Sequence, residues 1–410
     1  MVNRGWKQPF HNLRRLLAKT WLKLYPQVTI IGITGSYGKT NTTRAIAQVL
    51  SGRYPVLQTD LNLDTVYNLP ITILKLRPWH KALVLEMGVD HKGEMDSYLR
   101  LVKPSIGVVT GITPVHSEPE LLGSLEGIIE GKGKLLAALP KDGWAILNYD
   151  DENVRKMAKK TKAEILWYGK SKNCDFWADK IKVDFSGTSF LLHKAGQQTV
   201  RVKIPLIGKH FTHAALAATA IGLIKGLSLK EIISGLSKLE PLSGRLSLEK
   251  GPLGTIFLND HLRANPVSTI SGLETLSLLP TKGKRVAVLG EMGELGEYAE
   301  EEHRKIGRIL AKFKIDFLVL VGPLQRLVAQ EAEKSGMKKK NVVWVKDVCE
   351  AGDLLKKILK KGDLIYLKGS LLRHLERIIL ILEGKPVNCK LSSCHFYQSC
   401  LSCPKLGKEI

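Results

Sequence analysis

The stretch Ile33-Thr-Gly-Ser-Tyr-Gly-Lys-Thr-Asn41 constrains this chain more than any other. It follows the β-branched run Val28 to Ile33 and opens a helix-like segment, Thr40 to Leu50. Strand, glycine turn and helix start together read as a phosphate-binding unit. Gly35 and Gly38 let backbone N–H groups turn toward phosphate oxygens, and the helix N-terminus adds a favourable dipole. Lys39 supplies a point charge for the β- and γ-phosphates, and the Thr40 hydroxyl suits a magnesium ion. Thr34, Ser36, Tyr37 and Asn41 complete the grip. The general form of this loop carries another glycine where Ile33 stands, so this is a variant. Alone it says that nucleotide phosphate is held; a GTPase, a kinase and a ligase all stay open.

The rest of the chain alternates apolar runs with helical patterns. Ala82 to Leu85, Ile106 to Val109 and Ala145 to Leu147 read as buried strands of a largely parallel sheet covered on both faces. The stretch from Cys174 to Ile204, ending in the alternating Val200, Val202 and Ile204, reads as an antiparallel insertion at the sheet edge. Leu216 to Ile224 and Leu229 to Leu239 form a helical pair that stops at Pro241 and Gly244. A second unit follows, with runs at Arg285 to Leu289, Phe317 to Val321, Val342 to Val345 and Leu364 to Leu367. The expected fold is therefore α/β: a phosphate-loop nucleotide-binding domain with a mostly parallel central sheet, an ATPase domain by the resemblance described below, then a Rossmann-like α/β domain. The expected division is a basic amphipathic segment (1–27), this phosphate-loop domain (28–243), a C-terminal domain (244–385) and a cysteine-rich tail (386–410).

A net charge of +23 spread along 410 residues favours anionic ligands such as nucleotides and acidic lipid surfaces. No apolar run reaches the roughly 20 residues needed to span a bilayer. Residues 1–25 carry Arg4, Lys7, Arg14, Arg15, Lys19 and Lys23 with no acid, and Trp6, Phe10, Leu13, Leu16, Leu17, Trp21 and Leu24 recur at helical spacing. Such a helix either packs its apolar stripe on the first domain or lies on an anionic membrane surface. Without a secretory signal, disulfides are not the default for the six cysteines. Cys389, Cys394, Cys400 and Cys403 crowd the tail and suit a tetrahedral Cys₄ zinc site, with free thiols and an iron–sulfur cluster as the other readings.

Thr-Gly-x-x-Gly-Lys-Thr after a β-branched strand resembles the phosphate loop of the Mur ligase family, which builds the stem peptide of peptidoglycan. Val84-Leu-Glu-Met-Gly88, the run from Gly93 through Thr110, Leu242-Ser-Gly-Arg-Leu246, Asn259 to Pro266, Val288 to Glu297 and Tyr366-Leu-Lys-Gly-Ser370 continue that likeness in the right order, closest to the MurF branch. The resemblance implies that Glu86 and Thr40 hold one magnesium ion. It implies that His116 serves a second, together with Lys132 carbamylated by carbon dioxide; Lys134 is the rival lysine. His210, Arg245, Asp260 and Asn265 match family positions on the nucleotide side. Gly111, Phe211 and Ala214 stand where the family has asparagines, with Phe211 a candidate stacking surface. Asn62 matches a substrate-loop asparagine, with Asn68 replacing a glycine.

The implied reaction joins a carboxylate to an amine through an acyl phosphate, with ATP and magnesium as cofactors and Lys39, His116 and Lys132 as the catalytic set. The expected substrates are a cell-wall peptide precursor and an amino acid or dipeptide, D-alanyl-D-alanine in the MurF branch. No nucleic acid partner is expected. The enzyme is expected in the cytoplasm, at the inner face of the membrane if the N-terminal helix docks there. Only residues 1–27 precede the phosphate strand, where family members carry a UDP-sugar domain. A polyglutamate-type ligase with a non-UDP acceptor and a catalytically weak nucleotide-binding partner subunit are the alternative readings.

Overall fold

The computed structural model describes residues 8–60, 65–196, 199–396 and 399–408. The chain divides into two compact units. One holds the described residues up to Ile181 with Ser189–Pro205 and His210–Leu239; the other holds Lys182–Thr188, Leu206–Lys209 and the described residues from Glu240 onward.

The strands of the first part are β1 (Thr29–Thr34), β2 (Val56–Gln58), β3 (Ala82–Glu86), β4 (Ile106–Val109), β5 (Trp144–Asn148), β6 (Glu164–Gly169), β7 (Phe176–Asp184), β8 (Gly187–Lys194) and β9 (Val200–Ile204). They form one nine-stranded sheet in the order β2-β3-β1-β4-β5-β6-β7-β8-β9. Every pair from β2 to β7 is parallel. Strands β3, β4 and β5 are buried almost throughout, as expected of uninterrupted apolar runs covered by helices on both faces. Residues 185–186 alone connect β7 to β8, a link short enough only for antiparallel neighbours, so the expected antiparallel insertion is present. Its helices are α1 (Gln8–Leu22), α2 (Lys39–Leu50), α3 (Thr65–Leu74), α4 (Glu94–Leu101), α5 (Leu125–Ala137), α6 (Glu152–Met157), α7 (Phe211–Ile224) and α8 (Leu229–Leu236). Helix α7 starts a full turn before the apolar run that announced it.

Strand β1 lies between β3 and β4, so the chain changes direction across the sheet at this point. Ligands of open α/β sheets bind outside the carboxyl ends of strands at such a switch. The phosphate loop leaves the carboxyl end of β1.

The second unit carries β10 (Ser247–Lys250), β11 (Ile256–Asp260), β12 (Arg285–Gly290), β13 (Phe317–Val321), β14 (Val342–Val345) and β15 (Leu364–Lys368). The order is β10-β11-β15-β12-β13-β14, parallel apart from the β10–β11 hairpin, which the apolar pattern did not announce. Helices α9 (Pro266–Leu278), α10 (Ala299–Leu310), α11 (Gln325–Lys334), α12 (Val348–Ile358) and α13 (Glu376–Leu382) complete it. Its core joins Val286, Val288, Val319, Ile365 and Leu367 of the sheet to Ala351, Leu355 and Ile378 of the helices.

Helix α1 is two-faced. Ala18 is fully buried, Trp21 Nε1 donates to the Leu76 carbonyl at 3.2 Å, and Arg15 donates to the Ser97 carbonyl at 2.7 Å. The other face leaves Phe10 (70% exposed), Leu13, Leu16 (63%) and Leu17 in solvent. Trp6, Lys7 and Arg4 lie outside the described residues.

Candidate active site

The loop after β1 is held open by contacts to the end of β4. Gly35 has φ 147, and a Cβ there would meet Thr110 Oγ1 at 2.1 Å, so only glycine fits. Ser36 N donates to the Gly111 carbonyl at 2.7 Å, and the Ser36 hydroxyl donates to the Thr113 carbonyl at 3.1 Å. Thr110 Oγ1 donates to the Tyr37 carbonyl at 2.5 Å. Thr34 Oγ1 donates to the Met87 carbonyl at 2.8 Å, tying the loop's start to the end of β3. Helix α2 then begins at Lys39 with Gly38 at its cap position and no side chain capping its first N–H groups. Uncapped amides at a helix start are suited to an anion. Lys39 Nζ donates to the Gly35 carbonyl at 2.8 Å, across the same loop. Thr40 is buried, and Asn41 is half-buried in the first turn.

Glu86 ends β3 in register with Ile33, one residue before the loop begins. Its backbone N–H donates to Thr59 Oγ1 at 3.0 Å. His116 sits at φ 74, a left-handed backbone position that costs a non-glycine residue about 1–3 kcal/mol. Its Nδ1 lies 3.2 Å from the Val89 carbonyl oxygen and 3.1 Å from Asp90 Oδ1. Lys132, on α5, is fully buried, and its Nζ donates to the same Val89 carbonyl at 2.7 Å. His116 and Lys132 therefore converge on one oxygen. Lys134 instead pairs with Asp96 at 2.6 Å and is partly exposed. The two rival lysines thus stand in opposite environments.

Burial is the main force on Lys132, and the Lys39 charge adds to it; together they lower its pKa to about 7, against the pull of Asp90 and Glu94. An amine brought near neutrality has a substantial uncharged, nucleophilic fraction.

Two further contributors to this arrangement were not visible in the sequence. The Val89 carbonyl is a backbone group and leaves no residue signature. Asp90 stands in an ordinary loop. Asp151 closes Asn148-Tyr-Asp-Asp151, and its carboxylate accepts from Tyr37 Oη (3.0 Å), Ile112 N (2.8 Å) and Val154 N (3.0 Å). The last of these caps α6, which an aspartate just before a helix signals. Burial first, and Asp151 second, push the Tyr37 hydroxyl well above its ordinary pKa, so Tyr37 stays a neutral donor.

The departures from the family pattern have structural reasons. A Cβ on Gly111 would fall 2.0 Å from the Tyr37 ring, so Tyr37 fills the space an asparagine side chain would need. Phe211 is buried at the start of α7, its ring centroid 4.2 Å from that of His210. It is part of the core rather than an exposed stacking surface, which corrects the expectation. Asn68 is buried and accepts from Asp60 N and donates to the Asp60 carbonyl, fixing the loop entry. Asn62 lies outside the described residues.

In the second unit, Asp260 ends β11 beside β15. Lys368 Nζ reaches Asp260 Oδ2 at 2.6 Å, and Tyr366 Oη donates to the same oxygen at 3.3 Å. Burial raises the Asp260 carboxyl and lowers the Lys368 amine, each partly pulled back by the other. Asn265 Oδ1 accepts from Ser268 N at 2.9 Å and caps α9, a use the resemblance did not imply. Arg245 lies half-buried in the same unit and acts on the charges of both Asp260 and Lys368.

The tail departs from the all-cysteine set expected. Among the described residues the four tail sulfurs do not gather; the one close group of donors is His374, Glu376 and Cys400, within 4.8 Å of one another. The reason is competition. The buried Arg377 donates to the Cys389 carbonyl (2.8 Å) and to Cys389 Sγ (3.2 Å), while Cys400 turns to Glu376, which accepts from Cys400 N at 3.3 Å. Burial, then the Glu376 charge, pushes the Cys400 thiol up to about 12.

Comparison with known proteins decides the family. The profile of the Mur ligase middle domain matches residues 33–222, and that of the Mur ligase, glutamate ligase domain matches residues 244–371. The chain belongs to the Mur ligase family. It is 34% identical over 375 residues to the UDP-N-acetylmuramoyl-tripeptide–D-alanyl-D-alanine ligase of Bacillus subtilis (strain 168), covering 91% of this chain and 79% of that protein. A crystal structure of MurF from Acinetobacter baumannii superposes with a TM-score of 0.82 at 27% identity, covering 92% of this chain and 81% of that one. MurF ligase from Thermotoga maritima, solved in complex with ADP, shares the fold with a TM-score of 0.78 at 24% identity over 92% of this chain and 84% of that one. As in its relatives, this Mur ligase has largely parallel α/β sheets in both parts. Among the described residues no helix is long and apolar enough to cross a membrane.

Proposed function

We propose that this Mur ligase uses ATP to activate the terminal carboxylate of a UDP-N-acetylmuramoyl-tripeptide and joins it to the amine of D-alanyl-D-alanine. The convergence of His116 and the buried Lys132 on the Val89 carbonyl, beside a phosphate loop bearing Lys39, is the observation that carries this reading. The names of the relatives point to the same substrates. In this reading residues 28–243 bind ATP and residues 244–385 receive the amino component.

The donor set suits magnesium, a hard ion that prefers oxygen ligands. Thr40 and Glu86 would hold one ion; His116 and Lys132, once carbamylated, would hold the other. Magnesium would offset the charges of the γ-phosphate and the carboxylate. Carbamylation needs an uncharged amine, and the buried Lys132 provides one: nitrogen attacks carbon dioxide, loses a proton, and becomes an anionic carbamate. Lys39 and the loop amides hold the β- and γ-phosphates and stabilise charge that builds on the transferred group. The substrate carboxylate attacks the γ-phosphorus and ADP leaves; the amine then attacks the acyl phosphate and phosphate leaves. Tyr37, anchored by Asp151, keeps the loop in one geometry between the two steps.

A phosphate-release assay tests the reading. ADP and phosphate should form only when ATP, magnesium, the UDP-tripeptide and D-alanyl-D-alanine are all present. Turnover with glutamate and a non-UDP acceptor instead, or none with any pair, would overturn it.

We also infer that the solvent face of α1 rests on an anionic lipid surface. Phe10, Leu13, Leu16 and Leu17 form its apolar stripe, and the exposed Lys19 and Lys23 stand near it. Co-sedimentation with phosphatidylglycerol vesicles, lost in Phe10→Glu with Leu17→Glu and absent with phosphatidylcholine, is the expected result. Equal sedimentation of the variant would remove the inference.

A further inference from the structure

The tail brings Cys400 back against a turn that already holds a histidine and a carboxylate. His374 is fully buried at φ 49, a left-handed position that needs support from its surroundings. Its Nδ1 lies 2.9 Å from Glu376 Oε1, and its Nε2 lies 3.3 Å from the Cys394 carbonyl oxygen. With an Nε2–H donated to that carbonyl, Nδ1 and the Glu376 carboxylate face each other across a position that a proton or a metal cation fills. The second carboxylate oxygen, Glu376 Oε2, is buried without a hydrogen-bond partner and faces His261 Nε2 at 3.9 Å. His261 is oriented through Nδ1 by Asn259 Oδ1, the way a metal-ligating imidazole is fixed by a neighbour on its other nitrogen.

We propose that His374, Glu376 and Cys400, with His261 as the fourth donor, bind a zinc ion that clasps the cysteine-rich tail to the C-terminal domain. Nitrogen, oxygen and sulfur donors in a buried tetrahedral set suit zinc, which takes all three. The three donor atoms lie within 4.8 Å of one another, against edges of roughly 3.3–3.8 Å in a bound tetrahedron. Small inward rotations close that gap. Binding releases the Cys400 proton to solvent, and the dication replaces it as the partner of sulfur, imidazole and carboxylate together. Cys389 is outside the set, because the Arg377 guanidinium already occupies its sulfur. The four donors all belong to the second unit, and the inference does not depend on the substrates proposed above.

The test is metal analysis of the purified full-length chain under reducing conditions, with zinc affinity measured by competition against a chromophoric chelator. A single zinc per chain is expected. His374→Ala and Cys400→Ser should weaken it by more than the ~10–100-fold typical of a second-shell change. Cys389→Ser and Cys394→Ser should retain it. Zinc lost in Cys389→Ser and Cys394→Ser but kept in His374→Ala would restore the all-cysteine site and overturn the proposal. A metal-free wild-type chain that takes up no added zinc would overturn it as well. Should a variant fail to fold, cobalt substitution of the wild type decides: charge-transfer absorption from one thiolate supports the site, and that from four refutes it.

Discussion

Lys132 makes the sharpest prediction, because its environment sets both its charge and its chemistry. An ordinary lysine titrates at 10.5, and here burial and then Lys39 bring it to about 7. The difference of about 3.5 units, at ~1.36 kcal/mol each, favours the neutral amine by about 5 kcal/mol. At pH 7.5 roughly three quarters of Lys132 is neutral, against ~0.1% of an ordinary lysine. The folded-state pKa is depressed, so the unfolded chain binds more protons between about pH 7 and 10.5. The cost of burying Lys132 is therefore full below pH 7 and fades as pH rises toward 10.5. Carbamate forms only from the neutral amine, so loading should fall as pH drops below 7. Enzyme stripped of carbon dioxide under nitrogen should lose activity and regain it with bicarbonate. ¹³C-bicarbonate should give a carbamate resonance in the wild type and in Lys134→Ala, and none in Lys132→Ala. Lys132→Ala should lose at least ~10²-fold in turnover, as when one charge-stabilising group is removed, with partial rescue by a short carboxylate that fits the vacated space. Full wild-type turnover in carbon dioxide-free buffer, with no label retained, would refute this reasoning.

Lys39→Met should cost ~10²–10³-fold in kcat by removing charge from the phosphate loop, and it should also raise the Lys132 pKa, read as weaker ¹³C labelling at pH 7. Gly111→Asn, which restores the family residue, should destabilise the fold by ~1–3 kcal/mol in thermal melts, because its Cβ meets the Tyr37 ring; adding Tyr37→Ala should recover much of that loss, and additive effects would show that the ring is not the obstacle. Lys368→Met should cost about 3–5 kcal/mol by stranding the buried Asp260 carboxylate, whereas Lys368→Met with Asp260→Asn should cost less, both followed by denaturant melts.

The sequence made the sheets legible because parallel strands are buried on both faces and leave continuous apolar runs, as at Leu83 to Leu85 and Val108 to Val109. The phosphate loop was legible because its glycines are forced: Gly35 has no room for a side chain. Hairpin β10–β11 was not, since Ser247–Lys250 is short and mostly polar. Asn265, expected on the nucleotide side, also caps α9, because its carbonyl oxygen accepts a helix N–H readily. Cysteine spacing failed for a different reason. Distance along the chain says nothing of what else competes for a sulfur, and here Arg377 takes one while Glu376 draws another.

One arrangement joins the fold to the chemistry. The Lys39 charge disfavours the charged form of Lys132, and Lys132 is fully buried. By itself such a pair costs stability. In the proposed reaction the nucleotide would bring several negative charges to Lys39, and carbon dioxide would turn the neutral Lys132 amine into an anion. Each change removes the repulsion that the free protein tolerates. The left-handed His116 adds a further cost at the same carbonyl. Strain and repulsion concentrated at the carboxyl end of β1 are what a site looks like when its charge balance is completed by its ligands. The large buried sheet around it supplies the stability that lets the chain keep them.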